Sequence, residues 1–259
     1  LHHDQHGNPY AQLSEMSERL MTAAQMAGIN ITLIPIFYEK GGFGKKAEKE
    51  QRRFISKSFE DYMTLFEACK KSTLKYSHAN IGYGIHSLRA VEFENIIQLC
   101  EIKTKNTPLH IHVSEQIKEI EKCIAHSGQR PVEWLSNHVA LDENYHLVHA
   151  THLTDIEIAQ ITGAGSNVVL CPSTEGNLGD GLFPLSKFLN KNGKWSIGTD
   201  SHVGINPLEE IRILDYGQRL ITHSRNTFGT TDSGDNGQIA TTSSLVNGRR
   251  AMGIDQKTF

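Results

Sequence analysis

The stretch LHIHVSE (residues 109–115) alternates apolar residues with two histidines and ends in a serine and a carboxylate. In an extended strand successive side chains point to opposite faces, so His110 and His112 share one face. A short apolar run that ends in polar residues is typical of a parallel strand covered on both sides. The stretch therefore predicts a buried parallel strand with His112 at its carboxyl end and Glu115 three residues further on.

Six apolar runs of this kind are spaced along the chain, with amphipathic segments of helical periodicity between them. They are residues 30–38, 80–86, 109–115, 145–151, 167–173 and 194–202. Strands that alternate with helices predict an α/β fold with parallel strands. A (β/α)8 TIM-type barrel has eight strands, so we expect this chain to hold about strands 3 to 8 of an incomplete barrel, with two strands preceding Leu1.

Composition narrows the function classes. The formal net charge of the 259 residues is −3 and the pI is about 6.6, which leaves no basic surface for nucleic acid or an anionic membrane. The four cysteines are far apart, which suggests neither a disulfide framework nor a zinc knuckle. The longest apolar run, residues 29–37, is too short to cross a bilayer. We expect one cytoplasmic domain over residues 1–259 that binds a small molecule.

Polar side chains collect where the predicted strands end, which is where barrel enzymes build their active sites. These residues are His86, Arg89, His112, Glu115, His149, Ser173, Thr174, Asp200 and His202. His112 falls in the layer nearest the solvent and His110 one layer deeper. We expect His112 and Asp200 to bind a metal and Glu115 to transfer a proton. A catalytic zinc site needs three protein ligands, so at least one further ligand is missing.

The remaining histidines carry less information. We interpret His2, His3 and His6 as a polar loop, with a metal-binding tract as the alternative. Five others flank helix patterns or begin a strand and are expected at the surface: His78, His126, His138, His146 and His223.

Several of these stretches together resemble the amidohydrolase superfamily. They are GIHSLRAV (84–91), HIHVSEQ (110–116), HLVHATHL (146–153), LCPSTEGNLGDGLFPL (170–185) and IGTDSHV (197–203). Within the superfamily, the first and fourth stretches are similar to the deiminases that hydrolyse N-formimino-L-glutamate, a dicarboxylate, in bacterial histidine degradation. The resemblance runs over nearly the whole chain.

The resemblance implies one Zn²⁺ per site, bound by His112, by Asp200 and by a His-x-His pair expected upstream of Leu1. It assigns proton transfer to Glu115 and His149 with Asp200, and binding of the glutamate portion of the substrate to His86 and Arg89. The guanidinium of Arg89 suits such a substrate because it forms bidentate bonds with a carboxylate. The resemblance also implies a homodimer and a small flanking β-sandwich domain that this chain lacks.

Two alternatives stay open at this point. The first is another amidohydrolase deaminase, which acts on guanine, an adenosine derivative or a chlorinated triazine. The second is an inactive, metal-free fragment, because an incomplete barrel exposes strand edges and lacks metal ligands.

Overall fold

The computed structural model describes residues 2–202, 204–229 and 235–254. The chain divides into two units, residues 1–111 and residues 112–259, which we call the first and second units. The strands are β1 (Ile31–Leu33), β2 (Ile36–Phe37), β3 (Ala79–Ile81), β4 (Tyr83–Ile85), β5 (Leu109–Val113), β6 (Tyr145–His149), β7 (Asn167–Leu170) and β8 (Lys194–Ile197). The helices are α1 (Glu15–Ala27), α2 (Phe59–Thr73), α3 (Phe93–Ile102), α4 (Ile117–Ser127), α5 (Pro131–His138), α6 (Asp155–Ala164), α7 (Pro172–Leu178), α8 (Leu185–Leu189), α9 (Pro207–Thr222) and α10 (Asn236–Ala251).

All six predicted strands are present, and two of them are split. Residues 30–38 form β1 and β2 with Pro35 between them, and residues 80–86 form β3 and β4 with Gly82 between them. Proline has no N–H to donate to a sheet, so the strand is interrupted there. The carbonyl of Pro35 accepts a hydrogen bond instead from the buried hydroxyl of Tyr62 on α2, at 3.2 Å.

In the first unit every strand pair is parallel. β1 pairs with β3, β2 pairs with β4, and β4 pairs with residues 109–111 of β5. The register aligns Phe37 with Ile85 and Ile85 with Ile111. All three side chains are buried and contribute to the core of this unit.

In the second unit β6, β7 and β8 pair side by side in chain order, again parallel. Leu147, Val168 and Trp195, one from each strand, are buried. α10 packs on β8, where the Asn247 side chain donates a hydrogen bond to the Trp195 carbonyl at 3.0 Å. The predicted α/β class with parallel strands is confirmed, and hydrogen bonds among the described residues do not close a barrel.

Helix ends follow the sequence signals. α1 ends at Gly28, which has the left-handed conformation expected of a glycine at this position, and α9 begins with Pro207 in its first turn. The basic stretch of residues 40–54 contains a short 3-10 helix, Lys49–Arg53. In the Gly- and Asp-rich segment of residues 225–238, residues 230–234 lie outside the described residues, and α10 begins at Asn236.

No helix in the described part of the chain is long and apolar enough to cross a membrane.

One histidine expectation is wrong. His146 is completely buried in β6, where its Nδ1 lies 3.3 Å from the Asn167 amide nitrogen. That amide also donates to Ser196 on β8 at 3.0 Å. The strand begins inside the covered sheet, so its first residues face the interior.

Candidate active site

Three of the predicted site residues meet at the carboxyl ends of strands in the second unit. His112, His149 and Asp200 each offer one ligand atom, and these atoms lie within 4.8 Å of one another. Nε2 of His149 is 3.2 Å from Oδ2 of Asp200, and the rings of His112 and His149 lie 5.5 Å apart, centroid to centroid. His149 is buried, whereas the Asp200 side chain keeps 24% of its exposure. The cluster is therefore accessible from its Asp200 side.

The backbone turns sharply where these strands end. Four non-glycine residues there have positive φ: Ser114 at 51°, His149 at 67°, Ala150 at 49° and Asp200 at 49°. This left-handed conformation is unfavourable for residues that carry a Cβ. Hydrogen bonds from the amide of Ala150 to the carbonyl of Val113, and from that of His152 to Ser114, hold two of the strand ends together.

Glu115 lies beside the cluster. Its carboxylate Oε1 is 3.7 Å from Nε2 of His149, and only 9% of the residue is exposed. The Glu115 amide donates to the buried carboxylate of Glu119 on α4, at 3.0 Å, which fixes the backbone at the strand end. The structure therefore places Glu115 next to His149, one of the three residues of the cluster.

Carboxylates dominate the electrostatics of His149. Burial acts to lower the pKa of His149, but hydrogen bonds with Asp200 and Glu175, together with the charge of Glu115, outweigh it and raise the pKa to about 10. The same hydrogen bond with His149 lowers the pKa of Asp200. Imidazole and carboxylate thus stabilise each other's charged forms.

Glu175 is a residue of this site that sequence reasoning missed. It lies on α7, is 4% exposed, and its Oε1 is 3.3 Å from Nδ1 of His149. The same oxygen accepts a hydrogen bond from the Cys171 amide at 2.8 Å, so the carboxylate is fixed in place. The signal was in the CPSTEG motif, but its polar residues suggested Ser173 and Thr174 first.

Ser173 and Thr174 shape the surroundings of the cluster. Ser173 binds the buried carboxylate of Glu210 on α9 through its amide and its hydroxyl. The Thr174 hydroxyl donates to the Thr199 carbonyl at 2.9 Å and accepts from the His202 amide at 3.3 Å. These contacts fix the loop that carries Asp200, because Thr199 and His202 lie on either side of it.

His86 and Arg89 belong to the first unit, where they follow β4. The His86 amide donates to the Phe37 carbonyl at 3.0 Å, and its Nδ1 lies 2.9 Å from the hydroxyl of Ser87. The His86 ring packs edge-on against Tyr38, with centroids 4.3 Å apart. Both His86 and Arg89 are half-buried.

His2 lies in a loop, as interpreted from the sequence, but this loop residue is buried. Only 8% of His2 is exposed, and burial, with the charge of His3, lowers its pKa to about 4. The two rings contact each other edge-on at 4.4 Å. His6 is exposed, as expected of a loop residue. The backbone amides of His2 and His3 both bond to the Arg53 carbonyl, which holds the two residues side by side.

The cluster in the second unit fits a divalent metal. Two imidazoles and one carboxylate are donors of the kind that zinc and similar ions bind. Nδ1 of His149 faces Glu175, and this contact fixes the orientation of the imidazole ring. His112 and Asp200, the two ligands expected from the sequence, both belong to this cluster.

The chain matches the Amidohydrolase family over residues 8–258, and it belongs to that family. It is 42% identical over 254 residues to the formimidoylglutamate deiminase of Pseudomonas aeruginosa. The matched region covers 98% of this chain and 56% of that enzyme. It is 33% identical over 141 residues to the 5-methylthioadenosine/S-adenosylhomocysteine deaminase of Thermodesulfovibrio yellowstonii, over 53% of this chain and 32% of the relative.

The crystal structure of an amidohydrolase from Brucella melitensis matches with a TM-score of 0.91 at 44% identity, over 98% of this chain and 56% of that one. The chain thus spans about half the length of the Pseudomonas aeruginosa and Brucella melitensis proteins. The predicted family resemblance and the amidohydrolase type of α/β fold are confirmed.

Proposed function

We propose that the protein to which this chain belongs is a metal-dependent deiminase that hydrolyses N-formimino-L-glutamate to N-formyl-L-glutamate and ammonia. The observation that carries the proposal is the cluster of His112, His149 and Asp200 with Glu115 beside it. The likeness to the Pseudomonas aeruginosa enzyme supports the substrate. We propose zinc as the metal, one ion per site, and a cytoplasmic homodimer that takes part in histidine degradation.

His112 and Asp200 would hold the metal, together with ligands on a further strand. When bound, a divalent metal supplies Lewis acidity, which activates water and polarises the C=N bond. Oδ2 of Asp200, 3.2 Å from Nε2 of His149, is placed to accept the proton of the attacking water. His149 can then donate a hydrogen bond to the oxygen that has added to the formimino carbon.

Glu115 completes the proton transfers. Its carboxyl group lies 3.7 Å from Nε2 of His149 and can deliver a proton to the imino nitrogen of the substrate. This nitrogen then takes a second proton, which the added hydroxyl releases, and the bond between the formimino carbon and the nitrogen breaks. Ammonia leaves, the carbonyl of the formyl group forms, and the proton that Asp200 took from water restores Glu115. His86 and Arg89 bind the carboxylates of the glutamate portion, and the guanidinium of Arg89 offers a bidentate pair.

Ammonia release by the full-length protein tests this proposal. We expect turnover of N-formimino-L-glutamate and little or none of guanine, 5-methylthioadenosine or a chlorinated triazine. Glu115→Gln should lower kcat by about 100-fold or more, because proton transfer of this kind contributes roughly 100- to 10,000-fold. Glu121→Gln, a change at an exposed glutamate of α4, is the matched control and should leave kcat unchanged. Turnover of a purine with none of formiminoglutamate would contradict the substrate assignment.

A further inference from the structure

Tyr38 and His86 lie next to each other because of the strand register in the first unit. Tyr38 follows β2 and His86 follows β4, and the last residues of these parallel strands, Phe37 and Ile85, are paired. The bond from the His86 amide to the Phe37 carbonyl continues the ladder by one step. The edge-on contact of the two rings at 4.3 Å follows directly from this backbone arrangement.

The hydroxyl of Tyr38 is held in one position. The Gln51 side-chain amide donates a hydrogen bond to the Tyr38 oxygen at 2.8 Å. Phe54 packs against the tyrosine ring at 5.2 Å, and the Ser56 amide bonds to the Tyr38 carbonyl at 2.9 Å. Because the oxygen accepts from Gln51, the hydroxyl hydrogen points elsewhere, and among the described residues the hydroxyl has no second hydrogen bond.

Two charges of opposite sign, Arg89 and Glu48, act on the Tyr38 phenol. Burial raises the pKa of the phenol, so it remains a donor at neutral pH, while the positive charge of Arg89 acts in the opposite direction. The carboxylate of Glu48 also acts on the phenol, and more weakly than the guanidinium. A hydroxyl, an imidazole and a guanidinium in one half-buried region are hydrogen-bond donors suited to a carboxylate.

We propose that the Tyr38 hydroxyl donates a hydrogen bond to one carboxylate of the substrate and so acts as a specificity-determining residue beside His86 and Arg89. This inference rests on the proposed function, since it assumes a dicarboxylate ligand. It predicts that Tyr38 recognises one of the two carboxylates and contributes nothing to the other.

The test measures binding to the full-length protein by calorimetry, which requires no turnover. The probes are N-acetyl-L-glutamate and its two monoamides, in which either the α- or the γ-carboxylate is replaced by an amide. Tyr38→Phe removes only the hydroxyl and keeps the ring against His86. It should weaken binding of the dicarboxylate by about tenfold, since a hydrogen bond to a charged group is lost. For the monoamide that lacks the contacted carboxylate, the loss should fall below about twofold.

Tyr216→Phe is the matched control, because Tyr216 lies exposed on α9 in the second unit. It should bind all three probes as the unmodified protein does. The inference is overturned if Tyr38→Phe leaves dicarboxylate binding unchanged, if it weakens all three probes equally, or if the unmodified protein binds none of them. Tyr38-dependent binding without turnover of N-formimino-L-glutamate would instead remove the proposed function and leave a dicarboxylate site.

Discussion

Glu175 determines which nitrogen of His149 faces the reaction. Its Oε1, 3.3 Å from Nδ1, favours a proton on that nitrogen and directs Nε2 toward Asp200 and Glu115. Because the neighbouring carboxylates raise the pKa of His149 to about 10, the imidazole is protonated at neutral pH and its Nε2 is a hydrogen-bond donor. The carboxylate thus acts through the imidazole and does not contact the reacting atoms.

We expect Glu175→Ala to lower kcat by about 10- to 100-fold, the usual effect of removing the partner behind a functional histidine. KM should change little, because Glu175 contacts no part of the substrate. Glu175→Gln should recover part of the loss, since its amide oxygen can still accept from Nδ1. Steady-state kinetics of the full-length variants measure kcat and KM, with Glu94→Ala, a change at an exposed residue, as the control. A rise in KM at unchanged kcat would contradict the role of Glu175 in orienting His149.

At the scale of single residues, position along a strand was the most informative signal. It predicted His112, Glu115, His149 and Asp200 as one group, because the ends of parallel strands meet on the same side of a sheet. Glu175 could not be predicted in this way. It lies on the short helix α7, which follows β7. Only the folded structure shows that this helix places the Glu175 side chain against His149.

Two helices end at a residue in the left-handed conformation. α9 ends on His223, which has φ 53° in the left-handed region, whereas α1 ends on Gly28 with φ 70°. A residue with a Cβ is less stable than glycine in this conformation. A Cβ added at Gly28 would meet nothing within 4 Å, so any penalty there is conformational and involves no clash.

We expect His223→Gly to increase the free energy of unfolding by about 0.5 to 1 kcal/mol, because it relieves the left-handed conformation. Gly28→Ala should lower it by a similar amount or more for the opposite reason. Urea denaturation followed by circular dichroism gives both values. His223→Ala is the control and should give no gain; equal stabilisation by alanine and glycine would refute the explanation.

The split strands illustrate what sequence patterns predict about elements. The apolar pattern of residues 30–38 predicts one strand, but Pro35 within it has no N–H to donate to the sheet. The hydrogen bond from Tyr62 to the Pro35 carbonyl makes the break stable. That bond joins residues 27 positions apart, which local periodicity does not reveal.

For the whole molecule, metal binding and stability are linked. A ligand that binds only the folded state stabilises it by about 2.7 kcal/mol at 100 times its Kd. We therefore expect zinc to raise the unfolding temperature of the metal-depleted full-length protein, and a chelator to reverse this. His112→Ala and Asp200→Ala should abolish the shift.

Thermal unfolding with and without zinc, together with metal analysis, measures this effect. His126→Ala is the matched control because His126 lies exposed on α4, and it should keep the full shift. An undiminished shift in Asp200→Ala would show that the metal binds somewhere other than the proposed site.

The left-handed residues at the strand ends restrict how this protein can diversify. Ser114 and Ala150 carry no proposed chemistry, yet their φ values of 51° and 49° disfavour valine, isoleucine and threonine. Evolution toward new substrates must therefore leave these backbone positions nearly fixed and vary the side chains on the loops beyond them. The turns that orient the reactive groups thus also limit which amino acids related proteins can carry at these positions.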